Sequence, residues 1–249
     1  SFHENMEDFE KFYATAREAY LKIFERLGLE AKVTEASGGA FSDKVSYEFE
    51  VLSEAGEANI LYCHKCDWCV NVDDIDKYQE GGKCGSCGEM GLVKSKAAEV
   101  GNIFALGQKY AKAFDLSFVD KEGNKQLPVM GCYGIGVSRT MGVLVEKFND
   151  SKGIVWPESV APFKYHLINH NDSIAETEKL YKEMVGKDLE VVWDDREVGM
   201  GQKFADADLV GIPYRIVISP KSLEAGGYEM KKRDEESTRI VSDAELLGN

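Results

Sequence analysis

Pro128-Val-Met-Gly-Cys-Tyr-Gly-Ile-Gly-Val-Ser-Arg139 joins an apolar run to three glycines and a lone arginine, ahead of a helical pattern over residues 140–148. Glycines at 131, 134 and 136 let a backbone pass close to a ligand, because no Cβ stands in the way. Arg139 falls one turn into the helix that follows, where a guanidinium can grip phosphate oxygens in bidentate fashion. The combination points to a nucleotide site. The same spacing also suits a tight strand-to-helix turn with a surface arginine. A dinucleotide fold fits less well, since the pattern is not GxGxxG and no early βαβ unit surrounds it.

Upstream, residues 5–27 carry Phe9, Phe12, Tyr13, Ala16, Tyr20, Ile23 and Phe24 in three- and four-residue steps, one helical stripe that Gly28 is suited to end. Strand-like pieces follow at 31–35, 46–52 and 58–62, separated by Gly38-Gly39 and by a turn at Glu54-Ala-Gly56. Val45, Tyr47, Phe49 and Val51 alternate with period two, as in a half-buried antiparallel strand. Residues 103–114 read as helix. A hairpin is expected from 116–119 and 126–130, turning at Glu122-Gly-Asn124. Downstream, Trp156-Pro157 and Ala161-Pro162 punctuate the chain. Strand, helix, strand, helix and strand are then expected at 165–168, 174–185, 189–193, 202–210 and 214–218. A closing pair lies at 227–232 and 237–241. This places an α/β layer after a boundary near residue 162.

With 249 residues the chain can bury a core of one large or two modest domains. Its apolar runs are far too short to span a bilayer, and its acidic, amphipathic first segment is no signal peptide. A net charge of −14 argues against broad, sequence-independent binding to nucleic acid, though not against local recognition. Cys63-x2-Cys66 and Cys84-x2-Cys87, with residues 67–83 between them, have the spacing of two knuckles presenting four thiolates to one zinc ion. Such a filled site is structural, and it implies a reducing, cytoplasmic setting. Cys69 and His64 lie alongside, and either could substitute as a ligand, although a free thiol and a solvated imidazole fit their positions better.

The segments "GCYGIGVSR" and "GIVWPESVAPFKYHLI" resemble motif 3 and the following linker of bacterial-type prolyl-tRNA synthetases. "AAEVGNIFALGQKYAKAFDLSFVD" is similar to the segment before it in that family. "DDREVGMGQKFADADLVGIPYRIVI" resembles the family's anticodon-binding domain, and "SFHENMEDF" the close of class II motif 2. The resemblance implies a mixed α+β and α/β fold. Residues 1–162 would be part of a class II antiparallel sheet domain with a small zinc-ribbon-like insert at about 61–95, and residues 163–249 an α/β anticodon-binding domain.

It further implies activation of proline by ATP, with Mg2+, and transfer of the prolyl group to tRNA(Pro) by a homodimeric, cytoplasmic enzyme with no membrane partner. Arg139 would hold the γ-phosphate, with Gly134 and Gly136 beneath the nucleotide. Phe2, His3, Glu99, Gly101, Phe104, Cys132 and Tyr133 would form the proline pocket. Phe204, Asp208 and Arg215 would read anticodon bases, and Lys203 and the Lys231-Lys232-Arg233 run would meet phosphate. The chain opens on Ser1 rather than Met, and motif 1, the core of motif 2 and the proline-sensing loop would all precede it. Only the cysteine-bearing residues stand where many relatives carry an editing domain, so cis-editing is expected to be missing. Asn102 and Tyr47 stand where many relatives have histidine. Two other readings stand beside this one: a class IIa synthetase for threonine, glycine or histidine, and a non-catalytic tRNA-binding accessory protein derived from such an enzyme.

Overall fold

The computed structural model describes residues 1–37, 45–71 and 77–248, so the Gly38-Gly39 turn lies outside the described residues. The chain divides into two compact units, Ser1–Glu146 and Lys147–Asn249. Residues 147–162, which sequence patterning groups with the first unit, here belong to the second. Among the described residues no helix is long and apolar enough to cross a membrane.

The first unit runs β1 (Phe2–His3), α1 (Met6–Arg26), β2 (Ala31–Ser37), β3 (Val45–Leu52), β4 (Ala58–Tyr62), β5 (Cys69–Asn71) and β6 (Val93–Gly107). It continues through α2 (Lys109–Ala113), β7 (Phe118–Val119), β8 (Lys125–Gln126), β9 (Val129–Ile135) and the start of α3 (Val137–Lys147). Asn5 caps α1 through its side chain, which accepts from the Asp8 amide at 2.9 Å, and Gly28 at φ +77° closes the helix. Phe9, Tyr13, Tyr20 and Phe24 of α1 are buried, whereas Phe12 and Ile23 of the same stripe stay exposed. Phe24 and Tyr20 pack on Phe49 of β3, and the Tyr13 hydroxyl donates to the Ile103 carbonyl at 2.8 Å.

Strand order is β1-β9-β6-β3-β2, all antiparallel, with β4 on the first part of β6 and β5 on β4. Residues 103–107 are therefore strand, not helix, and only Lys109–Ala113 forms the expected helix. Pairing with β9 along the segment, and with β3 at Ile103, outweighs its helix-forming composition. The expected hairpin shrinks to Phe118–Val119 against Lys125–Gln126, because Val129 and Met130 begin β9.

The second unit runs β10 (Asn149–Asp150), β11 (Gly153–Ile154), β12 (Tyr165–Asn169), α4 (Ile174–Gly186), β13 (Val191–Asp194), α5 (Met200–Val210) and β14 (Tyr214–Ile218). α6 (Pro220–Glu224), β15 (Tyr228–Lys232), β16 (Thr238–Val241) and α7 (Asp243–Leu247) complete it. Its sheet is ordered β13-β12-β14-β15-β16, the first three parallel and the last two antiparallel. Leu167 and Ile216 point to one face, where they meet Leu180 and Met184 of α4 and Leu246 and Leu247 of α7. The alternate residues, His166 and Arg215 among them, lie on the face that α5 covers. This α/β layer matches the sequence pattern closely.

Candidate functional site

Antiparallel register decides which side chains can act together. Phe104 lies opposite Cys132 and Asn102 opposite Gly134, while on β3 Glu48 faces Asn102 and Glu50 faces Glu99. Side chains alternate across a strand, so these residues share the sheet face away from α1. The register shifts between Phe49 and Glu50, leaving Val100 without an opposite. Glu99 stays on the same side as Asn102, whose amide donates to Glu99 Oε1 at 2.8 Å. Phe2, opposite Met130 and 64% exposed, flanks the same face.

At the end of β9 the chain turns at Gly136, whose amide donates to the Val100 carbonyl at 3.0 Å. Arg139 thereby stands in the first turn of α3, where helix amides favour anions. Its Nη1 donates to Glu57 Oε1 at 2.6 Å and to the Glu99 carbonyl at 3.2 Å. The arginine side chain is 51% exposed and Glu57 is similarly open, so their pairing contributes at most about 1 kcal/mol and yields readily to a better anion. A Cβ on Gly134 would meet Asn102 Oδ1 at 3.2 Å, and one on Gly136 would meet Arg139 Cβ at 3.2 Å. Both glycines keep the floor of this face low.

The remaining expected pocket residues face the other way. Tyr133 meets Phe12 edge-on at 5.6 Å and lies 6.2 Å from Tyr13, both on α1. His3 is buried between Phe9 and Phe12, with Nδ1 2.7 Å from Asp8 Oδ2 and Nε2 2.8 Å from Ser1 Oγ. Gly101 lies under the rings of Tyr20 and Phe24. Glu99, Phe104, Cys132 and Phe2 thus form one surface, and His3, Gly101 and Tyr133 support it from behind.

Glu50 was not singled out by sequence. The residue is only 2% exposed, and its Oε2 finds no hydrogen-bond partner among the described residues. Burial, reinforced by Glu48, Glu99 and Glu57 and opposed by Arg139, pushes its pKa up to about 8. The alternation that buries Phe49 and Val51 puts Glu48 and Glu50 together on the opposite face, but by itself it leaves that face open rather than buried. Glu57 was missed for lack of any local pattern.

In the insert, the Sγ atoms of Cys63, Cys66, Cys84 and Cys87 all lie within 4.8 Å of one another. Cys63 and Cys87 are 3.6 Å apart and Cys66 and Cys84 3.7 Å, close to the edge of about 3.8 Å that four sulfurs make around a tetrahedral ion. The Lys65 and Ser86 amides point at Sγ of Cys63 and Cys84, each at 3.4 Å. Burial opposes ionisation of Cys84, but main-chain donors from Cys87 and Ser86 outweigh it and bring its pKa down to about 7. The set is suited to hold a metal ion, and with four protein ligands it leaves no open position. Cys69 is not among them; it is buried with Ile60 and Ala97.

In the second unit, the Arg215 guanidinium stacks on Phe204 at 4.6 Å and donates to Asp208 Oδ1 at 3.0 Å. Phe204 and Asp208, four apart on α5, make one edge with it. Lys203 does not join them. It is fully buried, its Nζ donating to the Asp194 carbonyl at 2.9 Å and to Asn169 Oδ1 at 3.2 Å, so it braces the loop after β13 instead of facing a phosphate. Within the basic run, Arg233 forms a two-pronged pair with Asp150 at 2.7 and 2.8 Å, and Lys232 pairs with Asp234. Lys231 lies beside Arg215 in register and on the same face.

Residues 1–148 match the family described as tRNA synthetase class II core domain (G, H, P, S and T). Residues 159–248 match the family described as anticodon binding domain. The chain is 36% identical over 244 residues to a protein named Proline--tRNA ligase from Wolbachia sp. subsp. Drosophila simulans (strain wRi), aligning 94% of the chain with 57% of that protein. A protein of the same name from Ehrlichia ruminantium (strain Gardel) is 32% identical over 264 residues, covering all of the chain and 61% of the relative. Another, from Leptospira biflexa serovar Patoc, is 47% identical over 183 residues, 72% of the chain and 31% of the relative. The chain therefore spans less than two thirds of the length of these relatives.

Proposed function

The chain belongs to the class II tRNA synthetases of the G, H, P, S and T group, and from that premise we propose that it carries the motif 3 half and the anticodon-binding domain of a proline–tRNA ligase. The reaction is attack of the proline carboxylate on the α-phosphate of ATP, held with Mg2+, to give prolyl-adenylate and pyrophosphate. The prolyl group then passes to tRNA(Pro). Positioning and neutralisation of phosphate charge drive this chemistry. The observation that carries the reading is Arg139, a half-exposed guanidinium in a helix's first turn, held among the described residues by an open carboxylate and one carbonyl. It exchanges Glu57 for the γ-phosphate as ATP arrives. Gly134 and Gly136 keep the backbone low beneath the nucleotide.

Glu99, Phe104, Cys132 and Phe2 bound the proline pocket, backed by His3, Gly101 and Tyr133. Phe204 stacks on an anticodon base, Asp208 and Arg215 read its edge, and Lys231 meets the adjoining phosphate. Cys63, Cys66, Cys84 and Cys87 hold a structural zinc ion, consistent with an all-sulfur tetrahedral set. The whole enzyme is a cytoplasmic homodimer. The test is amino acid-dependent ATP–pyrophosphate exchange by the protein that contains this chain. Exchange with proline is expected, and exchange with threonine, glycine or histidine in its place overturns the assignment.

A further inference from the structure

The cysteine-bearing insert is more than an appendage. β4 pairs with β6, β6 with β3, β3 with β2, and β5 with β4. Trp68, immediately before β5, bridges back to Val33 of β2, and the Val33 amide donates to the Asp67 carbonyl at 2.5 Å. These pairings close a ring of five strands. By register, Lys32, Glu50, Glu99, Ala97, Ile60 and Cys69 project to its inside. This closure buries both faces of β3 instead of one. Glu50, deep in the ring, stands opposite Glu99 at its rim, and the Glu99 carbonyl receives Arg139.

The segment that closes the ring is also the first metal knuckle. Between Cys66 and Cys69, Asp67 accepts from Arg17 of α1 at 2.6 Å, and Arg17 lies over the Tyr47 ring. Lys32, buried in the ring, donates to the Cys66 carbonyl at 3.0 Å. Residues 66–68 thus reach the sheet through Lys32 and Val33 and the helix through Arg17. They are held as well by the four-sulfur cluster, by the Cys63 amide donating to the Trp68 carbonyl at 3.0 Å, and by Trp68 packed edge-on to Tyr78 at 4.9 Å. An ion held by all four sulfurs ties residues 63–66 and 84–87 to one centre, so its binding free energy adds to what holds this segment in place.

We propose that metal binding by Cys63, Cys66, Cys84 and Cys87 closes this ring and thereby sets the wall of the nucleotide site, so that zinc occupancy regulates how Glu99 and Arg139 are placed. The inference rests on the zinc reading of the cluster given above. Two amides report the two ends of the coupling. Val33 senses the clasp through its bond to Asp67, and Gly136 senses the site through its bond to the Val100 carbonyl.

The experiment follows hydrogen exchange at Val33 and Gly136 in the reduced chain loaded with Zn2+ and after chelation, with zinc content measured in parallel. Leu167 and Ile216 of the second unit serve as controls. Loss of the ion is expected to speed exchange about tenfold or more at Val33 and severalfold at Gly136, with the controls unchanged. Cys87→Ser, at an exposed ligand, is expected to lose both zinc and protection, and Cys87→His to regain both. Zinc leaving with Val33 and Gly136 unaltered overturns the coupling while preserving the metal site. Protection lost equally at the controls also overturns it, as global unfolding. Failure of the reduced chain to take up any zinc overturns the metal reading itself, and the inference with it.

Discussion

Arg139 and Glu50 show how one sheet face holds opposite solutions to the same electrostatic problem. Arg139 keeps its charge in solvent beside a weak surface partner, Glu57, which the proposed function has it trade for a phosphate. Truncating it is expected to remove a charge-assisted phosphate contact worth about 2–4 kcal/mol in the transition state, read as kcat/KM in pyrophosphate exchange. Arg139→Lys keeps the charge but loses the planar fork, and is expected to recover only part of that rate.

Glu50 instead sits inside the fold with its pKa raised to about 8. The folded chain then binds more protons than the unfolded one between the ordinary carboxylate range and about pH 8. Its contribution to stability is therefore fully present at acidic pH and lost as pH rises through that window. Glu50→Gln is expected to stabilise the first unit by about 1–3 kcal/mol at pH 9, with little effect at pH 5. Urea unfolding at the two pH values measures it, and equal shifts at both would show that Glu50 is not held neutral. Arg139 was legible in the sequence because its spacing from the glycines is local. Glu50 needed the closed ring, which depends on residues far apart in the chain.

Elements differ in how far sequence fixes them. α1 could be read from its stripe and its stop at Gly28. The β12-to-β16 layer could be read from short apolar runs separated by amphipathic helices. β6 could not, because two partner strands decide its conformation and neither leaves a local mark on residues 103–107. Lys203 misled for a related reason: a lysine beside Phe204 looks exposed, yet it fills the interior under β13. α5 is the element on which the proposed tRNA contact and the packing both depend. It ends at Gly211, φ +79°, where an added Cβ would run into the Ile154 backbone and side chain. Gly211→Ala is accordingly expected to cost about 2–4 kcal/mol, from backbone strain plus displacement of β11, measured by thermal unfolding. Phe204→Ala should leave stability nearly intact while weakening tRNA binding by about 1–3 kcal/mol, the worth of one stacked base. Unchanged affinity would place the base elsewhere.

At the scale of the whole molecule, the proposed function asks a chain with net charge −14 to bind a polyanion. Many of the second unit's cations are already engaged: Arg196 with Asp194 and Asp206, Arg233 with Asp150, Lys232 with Asp234, Arg239 with Glu245, Lys182 with Glu178. Lys203 is inside, and Arg215 is shared with Asp208. The charge of these cations is offset by carboxylates in the free protein, so the proposed recognition draws more on stacking and base edges than on phosphate. Each phosphate neutralised on single-stranded RNA contributes a slope of about −0.7 in log K against log salt. With Lys231 and Arg215 as the principal contacts on this face, the isolated second unit is expected to bind an anticodon stem-loop with a slope of only about −1 to −2. A slope several times steeper would reveal a basic surface other than the one around Arg215. Lys231→Ala is expected to make the slope shallower by about 0.7 without changing which anticodon is preferred, whereas Asp208→Ala should relax the preference and leave the slope unchanged. Titrations at several salt concentrations with matched and mismatched anticodons separate the two effects.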